Sequence, residues 1–191
     1  MSSVSEEYKH IFVHIPKTAG SAMENKHWVG GTSHMSIKNL VNEENKEYFK
    51  WAFVRNPFDR LWSAYKYLKN VEHWDKYPDN LVRRMQFKDV CNRLDSLAHI
   101  IVHLAPQHYF LFVDGISAMD YIGHYENLRE DWEFICRKVI GKNDPLPVVN
   151  GTGGCTYDHV YTPDMIEQVA EFYAKDIQYF YPSVSGQPSV Y

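Results

Sequence analysis

Apolar and polar positions along the chain fall into short blocks whose period switches between that of a strand and that of a helix. Ile11, Phe12, Val13 and Ile15 form a β-branched and aromatic run that predicts a buried strand, and Pro16, which has no N–H for a ladder, ends it. Lys50 to Val54 predicts a second strand that stops at Arg55. Asn56, Pro57 and Asp59 then spell a helix start, with a cap, a first helical position and an acceptor near N3. Leu61, Trp62, Ala64, Tyr65 and Leu68 supply the apolar faces of that helix. Asn80 to Val102 reads as helical, Tyr109 to Val113 as a strand, Asp114-Gly115 as a turn and Tyr121 to Tyr125 as another strand. A helix from about Leu128 to Ile140 follows, then a Pro- and Gly-containing loop, and a last helix from Pro163, behind a Thr162 cap, to near Tyr179. Strands alternating with helices predict an α/β fold, a mainly parallel sheet covered on both faces.

Two of the predicted strand ends carry chemistry. The first is HIPKTAGSA at residues 14 to 22, where Lys17 to Gly20 make a turn with hydroxyls at Thr18 and Ser21. Such a turn delivers backbone N–H groups and an ammonium to one point, as anion-binding turns do, and Gly20 is expected to supply φ > 0 or a close approach. The order differs from that of a nucleoside-triphosphate loop, because Lys precedes Gly here, and a plain solvated turn stays open on local pattern alone. The second is FVRNPFDRLWSAY at residues 53 to 65. Asn56, Arg60, Ser63 and Tyr67 lie near one helical stripe, so Arg55 and Ser63 are expected to converge on one anion, and a guanidinium with a hydroxyl suits a phosphate monoester. The alternative is that Arg55 and Arg60 pair with Asp59 or another carboxylate.

The order and separation of these motifs resemble the sulfotransferases that use 3′-phosphoadenosine 5′-phosphosulfate (PAPS), most closely their carbohydrate branch, of the uronyl 2-O type. The resemblance implies a P-loop-like nucleotide-binding sulfotransferase fold in which Lys17, Thr18, Ala19, Gly20 and Ser21 cradle the 5′-phosphosulfate. It further implies that Arg55 and Ser63 hold the 3′-phosphate. DYIGHYENLREDW at residues 120 to 132 is similar to the strand-to-helix element of the same branch, while Ala22 departs from it where many relatives carry a hydroxyl. His34, in TSHMSIKNL, resembles the histidine that serves as general base in the uronyl 2-O type; Glu24 and His27 are the next candidates, and His14 reads as structural. Lys17 is expected to act on the leaving oxygen. Glu126 and Asn127 are expected to cap the following helix or to orient Lys17 or Arg55. Gln107 and His108 resemble a PQ element that lines the acceptor cleft, and Lys66 and Lys69 face either an acidic sugar or solvent.

Composition bounds the rest. With 191 residues, 45% hydrophobic and 23% charged, the chain is expected to form one domain over 1–191, with 1–8 and 183–191 as tails. A net charge of −4 predicts no nucleic-acid partner. Cys91, Cys136 and Cys155 have no metal spacing and an odd count, which favours free thiols in a reducing compartment. No apolar run reaches spanning length and the start MSSVSEEYKH lacks a secretory core, so a cytoplasmic protein or the soluble catalytic part of a longer one is expected. PAPS is the expected co-substrate, no metal is called for, and a carbohydrate hydroxyl is the expected acceptor. A kinase-like phosphotransferase and a catalytically silent nucleotide-binding module are the competing readings.

Overall fold

The computed structural model describes residues 3–30, 33–70, 80–146 and 159–182. The chain runs β1 (Val4–Ser5), β2 (His10–Val13), α1 (Gly20–Glu24), α2 (Ile37–Leu40), β3 (Phe49–Val54), α3 (Pro57–Asn70), α4 (Asn80–Arg83), α5 (Phe87–Cys91) and α6 (Leu94–Ala98). After a 3-10 turn at Val102–Leu104 come α7 (His108–Leu111), β4 (Phe112–Val113), β5 (Ile116–Ser117), β6 (Tyr121–His124), a 3-10 turn at Tyr125–Asn127, α8 (Leu128–Ile140), α9 (Pro163–Phe172) and α10 (Ala174–Phe180). No helix among the described residues is long and apolar enough to cross a membrane.

Two compact units divide the chain, one built from residues 1–55 and 107–153, the other from 56–106 and 154–191. The first holds a four-stranded sheet in the order β1-β2-β3-β6, with β2, β3 and β6 parallel and β1 antiparallel at the edge. Val4 and Ser5, within the stretch expected as a tail, form that edge. Register pairs Val13 with Ala52 and Val54 with His124, so the carboxyl ends of β2, β3 and β6 open on the same edge of the sheet. That is where ligands of parallel sheets bind. Ile11, Phe12, Val13, Trp51, Ala52, Phe53 and Val54 are all fully buried, as strands covered on both faces should be.

The aromatic core of this unit explains its local choices. Phe12 stacks on Trp51 with centroids 4.3 Å apart, and Trp28 stacks on Trp132 of α8 at 5.1 Å. A Cβ at Gly123 would come within 2.7 Å of the Phe53 ring, so β6 needs glycine there for space. Asp144 fastens the far side: its carboxylate accepts from Trp28 Nε1 at 2.8 Å and pairs with Lys26 at 2.5 Å, while its carbonyl accepts from Trp132 Nε1 at 2.7 Å.

In the second unit, Asn56 accepts from the Phe58 N–H at 3.0 Å and its carbonyl bonds Arg60 N–H at 2.8 Å, so the predicted cap and Pro57 start α3 as the sequence reads. Phe58, Leu61, Ala64 and Leu68 turn one face of α3 toward Val82, Val90, Leu94, Leu97, Val169 and Tyr173. The expected long helix over 80–102 is instead three short ones. Gln86 and Asp89 form a reciprocal capping box that starts α5, and Arg93, at φ −125°, separates it from α6. Residues 109–113, expected as a strand, are mostly α7, with Phe110 and Leu111 buried and only Phe112–Val113 extended. The last helix starts on Thr162 and Pro163 as expected but breaks at Tyr173, whose hydroxyl donates to the Leu104 carbonyl at 2.7 Å.

Candidate functional site

Three of the predicted site residues meet at the carboxyl edge of the sheet. After β2 the chain turns through Lys17 (φ 70°) and Ala19 (φ 69°), two left-handed residues on either side of Thr18. Thr18 is fully buried, and its hydroxyl donates to the Ile15 carbonyl at 2.9 Å, closing the turn from within. Backbone pairing resumes at Ala22, whose N–H donates to the Ala19 carbonyl at 3.0 Å, ahead of which lie the N–H groups that a helix start leaves open. Alternating left-handed residues of this kind gather N–H groups into an anion-binding concavity. Ser21 is exposed on its outer side.

Of the two roles expected of Gly20, the positive φ is not what the structure shows. Positive φ is carried by Lys17 and Ala19 rather than by Gly20, and the glycine is required for space: a Cβ there would stand 2.0 Å from His14 Nε2 and 2.1 Å from Cδ2. The His14 imidazole therefore packs directly under the loop. Its Nδ1 lies 2.6 Å from Glu24 Oε1, an ion pair when the ring is protonated. Burial raises the Glu24 carboxyl above the usual range.

His34 sits edge-on against this ring, with centroids 4.5 Å apart. Its Nδ1 is 3.1 Å from the His14 carbonyl. A carbonyl only accepts, so in neutral His34 the proton is on Nδ1 and Nε2 carries the lone pair. Burial is the main cause that lowers its pKa, the carbonyl bond opposes that, and the nearby Lys17 ammonium lowers it further. The same influence places Lys17 and His34 in one electrostatic neighbourhood.

Arg55 leaves the end of β3, 4% exposed. Its N–H donates to Gln107 Oε1 at 2.9 Å and its carbonyl accepts from Gln107 Nε2 at 2.9 Å. Its Nη1 donates to the Lys17 carbonyl at 3.1 Å, and its guanidinium lies over the Tyr125 ring, 4.0 Å from the centroid. Arg55 is thus tied to the Lys17 turn itself. Gln107, expected in the acceptor cleft, is fully buried and engaged with Arg55. Tyr125 was not singled out from sequence, though its place immediately after the third parallel strand was the available signal.

Ser63 lies in the second turn of α3, half-buried, in the other unit. The stripe on which it was expected to act is mostly occupied: Asn56 caps α3, Arg60 is buried, and the Tyr67 ring lies tilted against His103, centroids 5.0 Å apart. Arg60 donates to the carbonyls of His103 at 3.2 Å and Ala105 at 2.6 Å, so its work is to hold residues 103–105. Lys69 is likewise structural, donating to the carbonyls of Arg83 and Met85. Asn127 stands at the N-cap position of α8 without a side-chain cap bond; Asp131 instead accepts from the His124 N–H at 2.6 Å and the Tyr121 hydroxyl at 2.8 Å.

Cationic and N–H donors on one side, and the partly buried His34 imidazole with its lone pair on Nε2 beside them, form an arrangement that can hold an anionic group and accept a proton next to it. A model of the sulfotransferase family matches residues 2–182. Carbohydrate sulfotransferase 10 of Xenopus laevis is 30% identical over 124 residues, an alignment covering 52% of this chain and 35% of that protein. The chain spans about a third of the length of that curated relative, which it matches only in part. No solved structure matches.

Proposed function

Because the chain belongs to the sulfotransferase family, we propose that it moves the sulfuryl group of PAPS to a hydroxyl of a carbohydrate acceptor. The observation that carries this reading is the bond from Arg55 to the Lys17 carbonyl, which links the 5′ loop and the proposed 3′-phosphate ligand as one structure. The donor set suits a nucleotide with phosphates at two positions: loop N–H groups and the Lys17 ammonium at one, the Arg55 guanidinium at the other. PAPS supplies an activated sulfuryl group on its 5′-phosphate.

The side chains divide the work. Lys17 to Ser21 bind the 5′ end, with Thr18 holding the turn in shape from below. Arg55 binds the 3′-phosphate. His34 Nε2 takes the proton from the acceptor hydroxyl as the oxygen bonds to sulfur, and Lys17 meets the negative charge that accumulates on the departing phosphate oxygen. His34 suits its part for two reasons: the His14 carbonyl leaves the lone pair on Nε2, and the lowered pKa keeps the ring neutral at neutral pH. A cytoplasmic setting is part of the proposal, supported by Cys91 and Cys136, which are buried free thiols; Cys155 lies outside the described residues.

Calorimetric titration with 3′-phosphoadenosine 5′-phosphate, adenosine 5′-phosphate and ATP tests the nucleotide half. The first should bind at least about tenfold more tightly than the second, since a charge-assisted pair to phosphate contributes roughly 1.5 to 3 kcal/mol. Preference for ATP would favour phosphotransfer instead.

A further inference from the structure

We propose that Gln107 is a positioning residue for nucleotide selectivity: by bonding both main-chain groups of Arg55 it sets where the guanidinium points, and so sets the preference for a 3′-phosphate. This rests on the reading of Arg55 given above. The last registered pair between β3 and β6 is Val54 with His124, so Arg55 stands one residue beyond the ladder. Gln107 continues the ladder with a side chain, accepting from the Arg55 N–H and donating to the Arg55 carbonyl, each at 2.9 Å. Those two main-chain groups dictate the amide's orientation, oxygen toward N–H and nitrogen toward carbonyl. Glutamine meets both demands at once, which a carboxylate or an aliphatic group cannot do.

Three contacts bear on where the guanidinium lies. Gln107 fixes the backbone from which it springs, the Lys17 carbonyl fixes one Nη, and the Tyr125 ring fixes its plane. Recognition of a phosphate by a planar fork depends on direction, so a small rotation at the Arg55 Cα is magnified at the end of the long side chain. A buried amide also serves stability, and the experiment has to separate the two roles.

Wild type, Gln107→Glu and Gln107→Leu are titrated calorimetrically with 3′-phosphoadenosine 5′-phosphate and with adenosine 5′-phosphate, after circular dichroism has confirmed folding. Glutamate keeps an acceptor for the Arg55 N–H and loses the donor, and is the variant on which the test rests if leucine does not fold. The expected result is a fall of about tenfold in the ratio of the two affinities, with adenosine 5′-phosphate affinity changed by less than about threefold. Equal losses for both nucleotides, or an unchanged ratio in the folded glutamate variant, would overturn the proposal and leave Gln107 as a packing residue. A wild type that does not distinguish the two nucleotides would overturn the reading of Arg55 as well, a result distinct from either of those.

Discussion

Replacing Gly20 by alanine should damage the site through His14 rather than through the backbone. Gly20 does not have positive φ, so alanine carries no conformational penalty and would ordinarily stabilise a helix start by roughly 0.5 to 1 kcal/mol. The added Cβ, however, would lie 2.0, 2.1 and 2.7 Å from three atoms of the His14 ring. These separations are well inside the carbon–nitrogen contact distance, so the ring has to move by more than an ångström. It has little freedom to do so: it is 6% exposed, parallel to Phe12 at 5.7 Å, against His34 at 4.5 Å and in contact with Glu24 at 2.6 Å. Overpacking of this kind costs about 1 to 3 kcal/mol. Urea unfolding should therefore show Gly20→Ala destabilised by about that amount, and the double variant with His14→Ala should recover at least about 1 kcal/mol of it as a coupling energy. Gly20→Ala with wild-type stability, or additive effects in the double variant, would refute the packing of His14 under the loop.

Further outcomes follow from the same geometry. Lys17→Ala should lower turnover about a hundredfold while weakening 3′-phosphoadenosine 5′-phosphate much less, because its charge partner grows only in the transition state; single-turnover assays separate the two. His34→Ala should bind that nucleotide normally and lose about two to four orders of magnitude in transfer, and the wild-type rate should fall as pH drops below the His34 pKa, itself below about 6.5. His10 is buried neutral, donating from Nε2 to the Trp28 carbonyl at 2.8 Å and accepting at Nδ1 from Trp51 Nε1 at 3.1 Å, and burial lowers its pKa. The unfolded chain then binds the extra proton first, so stability should rise with pH between the folded value and about 6.5 and be lost below it. In urea titrations that slope should shrink in His10→Asn.

What was legible in the sequence was local. Pro16 marked the end of β2, Asn56-Pro57 the start of α3, and Thr162-Pro163 the start of α9, because each of these residues restricts its own backbone. The positions of Lys17 and Arg55 just beyond β2 and β3 were legible for a different reason, since each is a polar residue that follows an apolar run. Contacts between distant segments were hidden. Nothing near Gly20 in sequence says that the imidazole six residues earlier will pack against it, and Gln107 is separated from Arg55 by an entire stretch of the other unit. The long helix expected over 80–102 failed on a signal that was present, since Gln86 and Asp89 carry the spacing of a capping box within an apolar pattern that looked continuous. In α7 the burial of Phe110 and Leu111 overrode the strand preference of Tyr109 to Val113.

The proposed reaction is transfer of a sulfuryl group from PAPS by this chain, with His34 as the base. Incubation of the full chain with radiolabelled PAPS and a panel of mono-, oligo- and polysaccharides, beside phenols and lipids, reads it directly. Label is expected on a sugar hydroxyl with wild type, and is expected to be lost with His34→Ala despite intact nucleotide binding. Label reaching no acceptor hydroxyl while the nucleotide still binds, or transfer undiminished in His34→Ala, would contradict it.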